Sequence, residues 1–149
     1  MVKVTLDLQN DAEPILRCHV NGIVGDVDAA RWLELILDAM PQARGWPTLL
    51  DIRRYDGGVT WAGIVRLARI RGPAPRSRRN RTAVVADDDR YGILIGKADA
   101  AYSTLIARRV RLFHDEETAV AWLKEHAEEH AESTARRTAS RSLRRPVRE

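Results

Sequence analysis

Hydrophobic and polar positions along this chain change period in a regular order. Val2, Val4, Leu6 and Leu8 alternate with polar residues, the period-two pattern of a half-buried strand. Ile15 to Val20 reads as its hairpin partner, with Asn10, Asp11 and Pro14 marking the connection. The period then lengthens. Trp32, Leu33, Ile36, Leu37 and Met40 fall on one face of a helix that Asp26 or Asp28 can cap and that Pro41 ends. Thr48 to Ile52, bounded by Pro47 and Arg53, has the length of a central strand.

The second half repeats the alternation. Trp61, Ile64, Val65 and Ala68 form the apolar face of a helix with Arg66 and Arg69 opposite and Gly72-Pro73 at its close. Thr82 to Ala86 is another strand. Tyr91, Leu94, Ile95, Ala98, Ala101, Tyr102, Leu105 and Ile106 then follow the i, i+3, i+4 spacing, which predicts a helix with a wide buried face. Val110 to Phe113 is the last strand. Asp115, Glu116 and Glu117 suit the positive end of a last helix, anchored by Val120, Trp122 and Leu123.

Strands alternating with helices predict right-handed crossovers and a parallel sheet. The expected fold is therefore α/β: a small single domain over residues 1–130, with a mixed, mostly parallel sheet, an N-terminal β-hairpin and about four helices. Leu50, Val84, Val85, Leu94, Ile95, Leu112 and Trp122 are expected to share one core.

Composition changes this picture mainly at the C-terminus. The 149 residues are 44% hydrophobic, enough for one sizeable core. The net charge is +4, yet Ala131 to Glu149 alone holds six arginines and two glutamates, leaving 19 basic and 19 acidic residues before it. That segment is too poor in large apolar residues to offset the entropy of ordering, so 131–149 reads as a disordered, arginine-rich tail. Its charge suits nucleic acid, acidic lipid or an acidic protein face, or simply keeps the chain soluble. Cys18 is the only cysteine, which excludes an intramolecular disulfide and a multi-cysteine metal site. No basic leader precedes an apolar stretch, and no apolar run approaches the ~18 residues that span a bilayer, so a cytoplasmic protein is expected.

Three segments narrow the family. "LLDIRRYDGG", "TAVVADDDRYGILIG" and "VRLFHDEETAVAWL" together resemble the bacterial SpoIIAA-like group, also described as STAS/SEC14 domain proteins, over about Gly22 to His126. The resemblance implies a small α/β fold with helices packed on a mixed sheet, and roles that are mostly regulatory or unknown, generally without enzyme chemistry. In the anti-sigma-factor antagonists of this fold, a strand ending in Asp leads to a serine at the next helix N-terminus, where a kinase phosphorylates it. Here Thr60 and Trp61 occupy that neighbourhood. Tryptophan cannot accept phosphate, so Thr60 is the candidate phospho-acceptor, and its hydroxyl equally suits a helix cap.

The segment from Asp51 to Gly63 thus becomes the candidate partner-binding edge, through Asp51, Tyr55, Gly57, Gly58 and Trp61. It lacks the lysine and glycine spacing of a phosphate-cradling loop. Its glycine pair is expected to supply positive φ angles for a turn. Asp87, Asp88 and Asp89 follow a strand, where three carboxylates could hold Mg²⁺ or where one could cap the Tyr91 helix. His126 and His130 share a helix face, with no third ligand near them in sequence. Neither group predicts a metal site. Arg66 to Arg81 carries seven arginines and no acid. Within it Arg71, Arg76, Arg78, Arg79 and Arg81 are candidate anion or nucleic-acid contacts, although no aromatic is interleaved for base stacking.

No Ser-His-Asp or Cys-His constellation argues for catalysis, and no cofactor is expected. The preferred reading is a non-catalytic regulatory or protein-interaction module, with a second copy of the chain among the partners it allows. Beside it stand a carrier of a small apolar ligand, suggested by the SEC14-like part of the resemblance, and a nucleic-acid-associated protein using the basic loop and tail.

Overall fold

The computed structural model describes residues 2–7, 14–73, 81–125 and 136. Apart from Arg136 the expected tail, and with it loop arginines Arg76, Arg78 and Arg79, the histidine pair His126 and His130, and the hairpin connection at Asn10-Asp11, lie outside the described residues. Five strands form one sheet in sequential order: β1 (Val2–Asp7), β2 (Ile15–Ile23), β3 (Thr48–Gly57), β4 (Arg81–Val85) and β5 (Arg109–Phe113). β1 pairs antiparallel with β2, from Val2 opposite Val20 to Asp7 opposite Ile15. The other four strands run parallel. The α/β architecture with an N-terminal hairpin is the one the hydrophobic periods predict.

Between the parallel strands lie α1 (Asp26–Ala39), α2 (Trp61–Arg71) and α3 (Gly92–Ile106), while α4 follows β5 and is helical over 116–125. Each crossover steps to the next strand in the same direction. Right-handed connections therefore bring α1, α2 and α3 to one face of the sheet. The opposite face is left for α4, whose Ala119 and Leu123 pack with Leu49, Ala83, Val85 and Phe113.

Strand register makes the division strict, because successive side chains point to opposite faces. Cys18, Leu50, Val84 and Leu112 form one row across the sheet, and His19, Asp51, Val85 and Phe113 belong to the neighbouring rows. Leu50, Val84 and Leu112 join the core under α1–α3, where Ile95 also packs; Val85 and Trp122 join the core under α4. The single core expected for these residues is thus a pair of cores separated by the sheet.

Several boundaries also differ from the sequence reading. β2 continues to Ile23 and β3 to Gly57, because pairing between these two strands persists to Ile23 opposite Gly57 beyond the apolar stretches. Gly25, rather than Asp26 or Asp28, occupies the α1 N-cap. Pro41 ends α1 and opens a short 3-10 helix, Pro41–Gly45. No aspartate side chain caps α3: Asp88 instead accepts from the Arg90 N–H at 2.9 Å. Asp115 does cap α4, accepting from both the backbone N–H and the hydroxyl of Thr118 at 2.8 Å.

Candidate functional site

The two faces of the sheet are filled differently. On the α1–α3 side, a cavity of about 240 Å³ lies between helices and sheet. Its floor is the inward rows of the strands: Leu16, Cys18 and Val20 of β2, Leu50 and Ile52 of β3, Val84 of β4 and Val110 of β5. Its roof combines Leu33 and Ile36 of α1, Ile64 and Leu67 of α2, and Leu94, Ile95 and Ala98 of α3. This explains why the wide apolar face of α3 is only partly covered. Leu94, Ile95 and Tyr102 look onto the cavity and are half-buried, while Ala98 and Ile106 are buried.

At the end nearest the C-termini of the strands, Tyr55 and Tyr91 close the cavity. Their rings lie 5.3 Å apart, the Tyr91 hydroxyl donates to the Tyr55 carbonyl at 3.2 Å, and the Tyr55 hydroxyl accepts from the Val59 N–H at 2.8 Å. Burial raises the Tyr55 phenol above its ordinary pKa. Tyr55, read from the sequence as a partner contact, is 7% exposed and is a core residue. The strand runs on past Asp51 and so turns its odd side chain at position 55 inward at the bulged end of the β2–β3 pairing.

At the opposite end stands Arg71. The sequence reads it as a candidate anion contact at the start of a basic loop; the structure corrects the placement, with Arg71 in the last turn of α2, 5% exposed and lining the cavity. Its Nη2 donates to the Trp46 carbonyl at 2.8 Å and to the Thr48 hydroxyl at 3.2 Å. Arg44 and Arg108 sit beside it, engaged with carbonyls around the α2 C-terminus. Arg44 Nη1 donates to Ile70 and Arg71, and Arg108 donates to Gly72 and Arg44. Burial, reinforced by the charge of Arg71, brings Arg108 down to about 10. Burial pushes the Tyr102 phenol up to about 12 and the Cys18 thiol up to about 11, which makes Cys18 an inert core thiol.

The β3–α2 edge is a latch between helices. Gly57 and Gly58 have φ of 104° and 113°, as the pair predicts. At Gly58 a side chain would also strike the Val24 carbonyl. The Asp26 carboxylate accepts from both the Thr60 N–H, at 2.7 Å, and the Thr60 hydroxyl, whose oxygen in turn accepts from the Gly63 N–H at 3.2 Å. These bonds hold the Asp26 carboxyl below the usual range. Gly63 is required by this approach, because a Cβ there would collide with the Asp26 carboxylate. Thr60 is thus a cap, and Asp26 ties the start of α1 to it.

Asp51 faces the other way. Its Oδ1 accepts from Arg53 N and Nε, and its Oδ2 accepts from Arg53 Nη2 at 2.7 Å and lies 3.1 Å from His19 Nδ1. Arg53 Nη2 also reaches Glu116, which pairs with Arg17. Hydrogen bonds from Arg53 hold the Asp51 carboxyl down at about 2. Of the edge residues, Gly58 and Trp61 are exposed and Gly57 is half-buried. Arg81 donates to the Trp122 carbonyl at 2.9 Å and lies over the Trp122 ring at 4.6 Å, so it belongs to the α4 packing. In the aspartate triplet, Asp89 pairs with His114 at 3.1 Å.

Sequence reading missed the cavity, Arg108, and the role of Asp26. Arg71 carried a signal, since Ile64, Ala68 and Arg71 follow an i, i+4, i+7 spacing that places the arginine on the covered face.

No protein-family model matches this chain, and no curated protein matches it. Among solved structures, it is similar to an uncharacterised protein of the DUF3478 family with a SpoIIAA-like fold from Shewanella loihica PV-4. The TM-score is 0.58 at 16% identity, covering 82% of this chain and 93% of that one. The likeness shows a SpoIIAA-like fold. No described helix is long and apolar enough to cross a membrane.

Proposed function

We propose that this SpoIIAA-like chain is a non-catalytic binding module whose cavity takes a small apolar ligand. The observation that carries the reading is the cavity itself: about 240 Å³ beneath α1–α3, floored by Leu16, Leu50, Ile52, Val84 and Val110. Close packing is the rule in protein interiors, and an apolar void forfeits dispersion contacts along its lining. Apolar cavities smaller than this one stay dry and accept small hydrophobic guests. The experiment is saturable binding of Nile red to the full chain and to Ala98→Leu, with native mass spectrometry to identify any guest carried through purification. One site per chain, lost in the folded Ala98→Leu protein, is expected. Binding unchanged by Ala98→Leu, or no saturable site, rejects the reading.

A protein-interaction role at the β3–α2 edge is the second reading, favoured by exposed apolar side chains gathered there. Trp61 is 45% exposed, Ile23, which lies against Gly58, is 77% exposed, and Val27, next to Asp26, is 69% exposed. Phosphate on Thr60 would break its hydroxyl bond to Asp26 and set two anions together, freeing α1 from α2. In that reading Thr60→Glu weakens a captured partner's binding more than Thr60→Ala does, at matched folded fraction. Equal affinity for wild type, Ala and Glu rejects regulation through Thr60.

A further inference from the structure

We infer that the cavity ligand is a single-chain amphipathic carboxylate, its head group bound by Arg71 and the Tyr102 hydroxyl and its tail running toward Tyr55 and Tyr91. This rests on the apolar-ligand reading and adds the chemical class of the ligand.

The argument begins with an unbalanced charge. Arg71 is a guanidinium buried at one end of an otherwise apolar cavity, and removing such an ion from water is costly unless it is paired. Among the described residues it has no carboxylate partner. Its hydrogen bonds go to two neutral oxygens, both from Nη2, which leaves the Nε and Nη1 donors for another acceptor. The charged groups around it are Arg44 and Arg108, which add to the positive potential rather than neutralise it. Both of those arginines are engaged with backbone carbonyls at the α2 C-terminus. They account for the local structure; Arg71 is the one that lines the cavity.

Tyr102 completes the head-group site. It lines the cavity, lies close enough to Arg71 for each to affect the other's proton affinity, and stays protonated at neutral pH, so it can donate. Its hydroxyl makes no hydrogen bond to another described residue. A carboxylate matches this set: both parallel forks of the guanidinium need the Nη2 that Trp46 and Thr48 occupy, so one carboxylate oxygen takes a single charge-assisted bond from a remaining Arg71 donor and the other takes one from the phenol. The cavity volume lies below the range of drug-sized pockets, which suits one apolar chain rather than two.

Calorimetric titration of the full chain with decanoate and with decanol tests the inference, since the two share a tail and differ in the charged head. Decanoate is expected to bind about tenfold or more tightly than decanol, the ratio of a charge-assisted bond to a neutral one. Arg71→Gln is expected to remove that preference by weakening decanoate while leaving decanol unchanged, and Tyr102→Phe is expected to reduce it in part. If Arg71→Gln does not fold, the wild-type ratio and Tyr102→Phe decide. Equal binding of the two ligands overturns the carboxylate site and leaves the apolar cavity standing. A preference for decanoate that persists in Arg71→Gln also overturns it. Failure of both ligands to bind, with Nile red bound, overturns this inference alone; failure of all three overturns the cavity reading as well.

Discussion

The two faces of the sheet are built from alternate residues of the same strands and solve opposite problems. Under α4, Ala83, Val85, Ala119 and Leu123 are completely covered, and the polar margin is closed by Asp51, His19, Arg53, Arg17 and Glu116 bonded to one another. Under α1–α3, the helices pack on each other and α3 lies against β5, yet the apolar side chains line a partly open cavity with a buried arginine at one end. The first face is organised for stability. The second gives up packing for space, which is why the proposed ligand is placed there.

The largest expected effect sets the two faces directly against each other. Leu123→Ala should cost about 3 to 5 kcal/mol in chemical denaturation, because a fully covered leucine leaves a hole that its neighbours cannot fill. Ile95→Ala, on the cavity wall, should cost about 1 kcal/mol, since that side chain is half-buried and already lacks partners on one side. Equal losses would erase the contrast. A sharper version enlarges instead of trimming. Ala119→Leu should destabilise by about 1 to 3 kcal/mol through overpacking, whereas Ala98→Leu should be close to neutral because it grows into the cavity.

Smaller effects probe the polar devices at the margin of each face. On the cavity side, Thr60→Ala removes the cap on Gly63 N and the hydroxyl bond to Asp26, and should lower stability by about 1 to 2 kcal/mol in thermal or denaturant melts. On the α4 side, the Asp51 carboxyl titrates at about 2 when folded, below the ordinary aspartate value. Its contribution is therefore present above about pH 4 and is lost as the pH falls toward 2. Solvent screening reduces it to about 1 kcal/mol. Asp51→Asn should flatten the acid limb of the stability profile over that interval, and an unchanged profile would remove Asp51 from the network's energetics.

Local rules were enough to read the skeleton of the fold. Hydrophobic periods and the lengths of apolar runs located the five described strands and four α-helices, though not the 3-10 helix at Pro41–Gly45, and the βαβ order implied the parallel sheet and its right-handed crossovers. Gly57 and Gly58 announced their positive φ angles, and Asp115 announced the start of α4. What these rules describe is which side of an element is apolar, not what that side meets. The α3 face has the same spacing whether it touches a packed core or a cavity. Asp26 looks like an α1 cap until the crossover brings Thr60 within 2.7 Å of it. Arg71 looks like the first residue of a basic loop until Trp46 and Thr48, more than twenty positions earlier, draw its guanidinium inward. Periodicity is set by neighbours three or four residues apart along the chain, whereas a void, a latch and an unpaired buried charge are properties of the distances between elements, and those distances exist only once the sheet has assembled.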